Sequence, residues 1–193
     1  MDKSWEWKWY MNEEELRKIT IGEPQPLNGA VTLVDYDPAW PLLFDQEAMR
    51  IQSALGDRAL RFEHVGSTAV PHLAAKPIID ILLVVSDSAD EAAYVPPLEG
   101  MGYVPRIREP EWHEHRMFKG PSVAAHIHCL SAGCAEIQRM IAFRDWLRSH
   151  KDDRLLYERT KRALASKTRK YVQEYADAKT GIVEEILARA HGA

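Results

Sequence analysis

HVGSTAVPHLAAKPIIDILLVV, residues 64–85, joins a glycine–serine turn to an apolar run that carries one aspartate. Gly66 and Ser67 can aim successive backbone N–H groups at one point at the start of a helical turn, and such a nest attracts anions, phosphate first among them. Twelve residues then separate Ser67 from Asp80, enough for one or two helical turns and a return. IIDILLVV reads as a strand buried on both faces. An ionised carboxylate in such a run is costly unless it is paired or holds a cation, so Asp80 marks chemistry.

Outward from this stretch, short strands alternate with amphipathic helices. Upstream, residues 31–34 (VTLV) read as a strand, 39–55 as a helix burying Trp40, Leu43, Phe44, Ala48 and Ile51, and 61–65 as a strand feeding the turn. Downstream come a helix at 90–101, a strand at 103–107, and a hairpin in EPEWHEHRMFKGPS whose second arm is 123–130. From Ala135 the pattern turns wholly helical, with segments predicted at 135–149, 152–168 and 171–190. MNEEELRKI (11–19) is acidic first and basic later, with Asn12 as the cap of a short helix, and GEPQPLNG (22–29) is a linker. In MDKSWEWKWY (1–10), Trp5, Trp7 and Trp9 alternate with other residues, the form of an edge strand or a partner surface such as a homodimer contact.

These elements divide into an N-terminal extension and linker (1–28), an α/β core (29–132) and a helical region packed on it (133–193), an α+β fold with an all-helical back half. The 193 residues are 46% hydrophobic and 28% charged with a net charge of −4, which supplies no general field for a nucleic acid polymer. No apolar run approaches the roughly 18 residues of a membrane span and the N-terminus carries no signal-peptide core, so a cytoplasmic protein without membrane partners is expected. Cys129 and Cys134 form neither a disulfide framework nor a CxxC motif and read as reduced packing residues.

The remaining polar residues fall into patterns. His126 and His128 in AHIHCL lie two apart on a predicted strand and face one side of the sheet. Beside Asp80 they would make a three-ligand metal site with open positions, and the plain alternative is a hydrogen-bonded pair at a sheet rim. His113 and His115 form a second pair on a predicted solvated arm, next to Arg116, whose guanidinium suits an oxyanion. Arg144 and Arg148 continue the stripe of Ile137 and Ile141, and the pairs Tyr157–Lys161 and Tyr175–Lys179 repeat a YxxxK spacing on later helices. Inward-leaning cations need counter-charges, either carboxylates such as Asp145 and Glu174 or a phosphate-rich ligand shared by several of them.

EHVGSTAVPHLAAKPIIDILLVV, preceded by VTLVDYDPAW and followed by GYVP, HRMF, HIHCL, FRDWLRSH and the two YxxxK pairs, closely resembles the GrpB family over roughly residues 11–190. The family block usually has glycine where this chain has His72. That family is similar to the nucleotidyltransferase superfamily, which implies a mixed β-sheet core with flanking helices followed by a C-terminal helical bundle. The resemblance implies a site in which Gly66 and Ser67 hold phosphate and Asp80 and Ser67 are catalytic. Lys76, His115, Arg116, Arg144, Arg148, Tyr157, Lys161 and Lys179 would bind a nucleotide or another phosphorylated small molecule, and Asp80, His126 and His128 would hold a divalent magnesium, manganese or zinc ion. The superfamily places a second aspartate two residues after the first, and here Leu82 stands there. Three readings follow: a nucleotidyltransferase, a non-catalytic ligand-binding module with a degenerate site, or a mononuclear-metal enzyme built on Asp80, His126 and His128. Some chains of the family are fused to a coenzyme A biosynthetic kinase, and nothing in these residues selects coenzyme A.

Overall fold

A computed structural model describes residues 12–26, 28–168 and 170–192. The tryptophans at Trp5, Trp7 and Trp9, and any dimer contact they would make, lie outside the described residues. The elements in order are α1 (Glu13–Ile19), α2 (Trp40–Leu55), β1 (Arg61–Val65), β2 (Ile79–Val85), α3 (Glu91–Gly100), β3 (Val104–Glu109), β4 (His115–Lys119), β5 (Ala125–Ser131), α4 (Ala135–Ser149), α5 (Lys151–Ala165), α6 (Val172–Asp177) and α7 (Thr180–His191). The strands form one sheet ordered β1-β2-β5-β4-β3. Only the β2–β5 pair is parallel; the others are antiparallel. The fold is α+β, a mixed sheet with flanking helices.

The apolar run of β2 is continuous because both its faces are covered. Ile79, Ile81, Leu83 and Val85 pack into the main core with Ile51 and Leu55 of α2 and Tyr94 and Leu98 of α3. Leu82 and Val84 face the other way, onto Val65, Leu130 and Ile137 of α4. The helices of the C-terminal third lie on this second side, where α4 contacts β1, α5 and α7. No helix among the described residues is long and apolar enough to cross a membrane.

Two sequence expectations change. Residues 31–34 form no strand: Val34 makes an isolated bridge to Ala75, and the Val31 N–H bonds to the Ala165 carbonyl at the end of α5. The segment crosses between elements and meets no strand edge with which to build a ladder. The helix predicted over 171–190 is two helices, with a tight turn at Ala178–Lys179 whose N–H groups bond back to Glu174 and Ala176. The turn puts Lys179 at the head of α7. At the other end of the chain, Asn12 caps α1 in a capping box, its side chain accepting from Glu15 N–H at 2.9 Å while Glu15 accepts from Asn12 N–H at 3.1 Å.

Two histidines, His64 in β1 and His72 in the loop that follows, carry measurable consequences. His72 has φ +65°, the left-handed region in which an L side chain crowds its own backbone and which glycine adopts freely. His64 is buried, its ring stacked on Phe44 at 4.9 Å and its Nε2 3.0 Å from the Thr68 hydroxyl. Burial holds it down at about 4, outweighing the pull of Asp80. It folds neutral but takes up a proton when unfolded below its ordinary value, so its contribution is full above about pH 6.5 and drains away as the pH falls toward 4.

His72→Gly is expected to raise stability by roughly 0.5–1 kcal/mol in urea titrations, relief of left-handed strain less the entropy of a freer unfolded chain. His64→Gln keeps a donor for Thr68 and does not titrate. The loss of unfolding free energy between pH 6.5 and 4 should therefore shrink by about 3 kcal/mol relative to the parent. An identical acid slope in the two proteins would refute the assignment.

Candidate functional site

The parallel register of β2 and β5 sets Asp80 directly opposite His126 and Leu82 opposite His128. Residues facing one another across a pair share a sheet face, so Asp80, His126 and His128 converge on the side that carries α4, α5 and α7. His126 Nδ1 and His128 Nε2 each lie 3.7 Å from Asp80 Oδ1. The three donor atoms are within 4.8 Å of one another. At 3.7 Å these contacts are electrostatic and not hydrogen bonds. Ligand bonds of about 2.0–2.2 Å put two donors of one ion no more than ~4.3 Å apart, so both imidazole–carboxylate separations fit a shared cation.

The charge states suit that role. Burial works against the Asp80 carboxylate, but the interactions with His128 and His126 and the charge of Lys179 outweigh it and keep the group below the usual aspartate value. Burial holds His126 down at about 4 against the pull of Asp80, leaving a neutral ring able to ligate. Each of the three side chains retains about a quarter to a third of its exposure, so the cluster is open on one side.

Gly66 ends β1 beside Asp80, since Val65 is the register partner of Asp80. Its φ is +68°, and a Cβ placed there would come within 2.3 Å of Asp80 Oδ2. Glycine is required here twice, for the backbone and for the carboxylate. Ser67 opens a short 3₁₀ turn, Ser67–Ala69, and its hydroxyl accepts a hydrogen bond from Lys161 Nζ at 2.9 Å. Lys161 is 1% exposed and also donates to the Ala74 carbonyl, so both bonds go to neutral oxygens. Burial, with Lys179 adding to it, pulls its ammonium down to about 7. Tyr157 sits below, its ring 4.9 Å from Lys161 Nζ and its hydroxyl interacting with Ser67. Lys179 lies over the Tyr175 ring at 4.6 Å and, like Lys76, is held below the usual lysine value by burial while Asp80 pulls the other way. Tyr157 and Lys179 also line a cavity of about 170 Å³ with Arg139, Ala176, Thr180 and Val183.

Several expected residues go elsewhere. Arg116 is the register partner of Cys129, which belongs to the main core on the opposite sheet face. There its guanidinium pairs with Glu91 at 2.6 Å and Glu114 at 3.1 Å, so it does not face the Asp80 cluster. Arg144 bonds Glu63, Asp145 and the His64 carbonyl, and Arg148 bonds the Ala69 carbonyl and Asp145, so their counter-charges are structural carboxylates. His115 was expected on a solvated arm. It is buried, because β4 runs between β5 and β3, and it touches His128 and not an anion position. Leu82 shares the face of Asp80 but is wholly buried under α4, so hydrocarbon fills the place of a second carboxylate.

Two residues of this region carry no signal in the sequence. Lys119 joins the cluster as the register partner of His126, and Glu109 bonds His115 across β3–β4. Only the strand register reveals either one.

A mixed sheet whose central parallel pair carries a carboxylate and two imidazoles, beneath helices that bury lysines, defines an α+β protein with one polar site on one sheet face. Comparison with known proteins supplies the family: the model described as GrpB protein matches residues 30–189, and the chain belongs to the GrpB family. The crystal structure of the conserved protein GrpB from Enterococcus faecalis is similar at a TM-score of 0.71 and 30% identity, covering 82% of this chain and 98% of that one. A UPF0157 protein of Halalkalibacterium halodurans is 59% identical over 179 residues, 93% of this chain and 92% of that protein. A protein named dephospho-CoA kinase from Mycolicibacterium paratuberculosis is 30% identical over 187 residues, the match taking 83% of this chain and 46% of the kinase.

The Gly66–Asp80 contact predicts a coupled pair. Gly66→Ala should destabilise by at least about 2 kcal/mol in chemical denaturation, combining positive-φ strain with displacement of the carboxylate. In an Asp80→Ala background the same change should cost only the backbone strain of about 1 kcal/mol. Equal costs in both backgrounds would show that the carboxylate does not rest on Gly66.

Proposed function

We propose that this GrpB-family chain binds a phosphorylated small molecule or nucleotide together with one divalent metal ion. The observation that supports it best is the convergence of Asp80, His126 and His128 near the buried Lys161, whose two hydrogen bonds both go to neutral oxygens. An ammonium held in a dry setting by two neutral oxygens is unfavourable in the free protein, and a bound phosphate is the counter-charge that would make it favourable.

In this reading Asp80, His126 and His128 would hold the ion, and two imidazoles favour zinc over magnesium. A bound ion of this kind supplies charge neutralisation and polarisation of a phosphoryl oxygen. Lys76, Lys119, Lys161 and Lys179 stabilise the phosphate charge from around the cluster. Ser67, oriented by Lys161 and Tyr157, offers its hydroxyl to the same phosphate. Gly66 lets the backbone approach closely. The cavity lined by Arg139, Tyr157, Lys179 and Thr180 would receive the phosphate end of such a ligand.

Leu82 bears on the reaction. Two-metal nucleotidyl transfer uses carboxylates on both sides of the ion pair, and a leucine buried under α4 cannot supply one. A one-metal enzyme, or a binding module that has kept the phosphate site, accords with this better than a standard nucleotidyltransferase. The name of the Mycolicibacterium relative puts coenzyme A precursors beside nucleoside triphosphates among the ligands to test.

Calorimetry on protein made without a histidine tag should show one equivalent of zinc or manganese, with Asp80→Asn and His126→Ala each weakening it by more than about tenfold. With metal present, a phosphorylated ligand should bind, and Lys161→Met should weaken that ligand while raising the unfolding free energy by about 1 kcal/mol or more. Absence of binding across nucleoside triphosphates and coenzyme A precursors, with each metal, would end the proposal.

A further inference from the structure

Outside the three converging groups, one buried chain of polar side chains is left without a role. Glu109 Oε2 lies 2.7 Å from His115 Nδ1, and His115 Nε2 lies 3.0 Å from His128 Nδ1. The His128 ring then turns its other nitrogen, Nε2, to Asp80. The rings of His115 and His128 are nearly coplanar in orientation, 17° apart with centroids at 5.3 Å, and Trp112 closes the far side of His115 edge-on at 5.2 Å. Strand register builds this. Glu109 is the partner of His115 across β3–β4, and a one-residue irregularity between Pro105 and Ile107 shifts the register so that Glu109 falls on the face of the site. Without that shift, the alternation of the strand would turn Glu109 to the other side.

The donors follow in one direction only. A carboxylate accepts, so His115 carries its proton on Nδ1. The Nε2 of that ring is then an acceptor, and the 3.0 Å contact requires His128 to donate from Nδ1. In the neutral His128 ring the lone pair then falls on Nε2, 3.7 Å from a carboxylate oxygen. Lone pair and carboxylate repel across that gap unless a cation stands between them. We propose that Glu109 and His115 are positioning residues that hold His128 in the Nδ1–H tautomer, so that its Nε2 is always presented to a cation shared with Asp80. This deepens the metal reading above and rests on it for its purpose, though not for its geometry. His115, expected from the sequence to touch a phosphorylated ligand, acts one ring further back.

The tautomer can be read without any metal. In the full chain labelled with ¹⁵N-histidine and kept free of divalent ions, long-range ¹H–¹⁵N spectra should show His128 protonated on Nδ1. Glu109→Ala and His115→Ala should each move His128 toward the Nε2–H form, while Glu109→Gln, which keeps an accepting oxygen, should retain the parent pattern. In zinc titrations the two alanine variants should bind roughly 10- to 100-fold more weakly, with Glu109→Gln restored. Glu109 is half-buried near the sheet edge, so its variants test the chain even if His115→Ala fails to fold. An Nε2–H ring in the parent, or an unmoved tautomer and unchanged zinc affinity in Glu109→Ala, overturns the proposal. The expected tautomers in a protein that binds no zinc would support the hydrogen-bond chain and reject the metal site alone.

Discussion

The parallel pairing of β2 with β5 is the constraint on which the rest depends. These strands are adjacent in space, yet their facing residues Asp80 and His126 are 46 positions apart in the chain, with the intervening α3, β3 and β4 returning it. A shift of one residue in that pairing would turn both histidines into the main core and bring Ile127 and Cys129 to the polar face. The hydrophobic content of the two strands forbids it. Ile79, Ile81 and Leu83 on one side and Ile127 and Cys129 on the other must face α2 and α3, and Asp80, His126 and His128 are carried to the opposite face by the same alternation.

Around this pairing the molecule concentrates groups that cost stability. Gly66 lies in a conformation few residues tolerate and against a carboxylate; Lys161 is buried with only neutral partners; three histidines are held in or near the site. The arginines show the contrast. Arg116, Arg144 and Arg148 find carboxylates or carbonyls within reach and tie the sheet to α3 and α4, a structural use of charge. Lys161, by contrast, bonds only to neutral oxygens, the Ser67 hydroxyl and the Ala74 carbonyl, and the difference separates framework from candidate site.

Much of this was legible in the residues. IIDILLVV announced a strand buried on two faces, and the two hydrophobic clusters on either side of β2 are that expectation realised. Asn12 as a cap, the strand at 61–65 and the helix at 135–149 followed from local chemistry. Residues 31–34 misled because β-branched composition does not supply a neighbouring strand, and His115 misled because a polar local sequence says nothing about which strands will flank it. Glu109 and Lys119 were invisible for the same reason: their partners lie across the sheet, and the register shift in β3 has no local mark in the sequence.

The division comes from the range of the forces involved. Periodicity, turns and caps act over a few residues, so the sequence alone determined the order of elements, the two-faced burial of β2, the Gly66–Ser67 turn before Asp80 and membership of a pattern shared with GrpB proteins. Which charged side chains share a face is a non-local outcome of strand order and register, set by how the hydrophobic faces close against the helices. Tertiary structure therefore decided that His126 and His128 meet Asp80, that Arg116 does not, and that Leu82 is sealed under α4 where a second carboxylate would have stood.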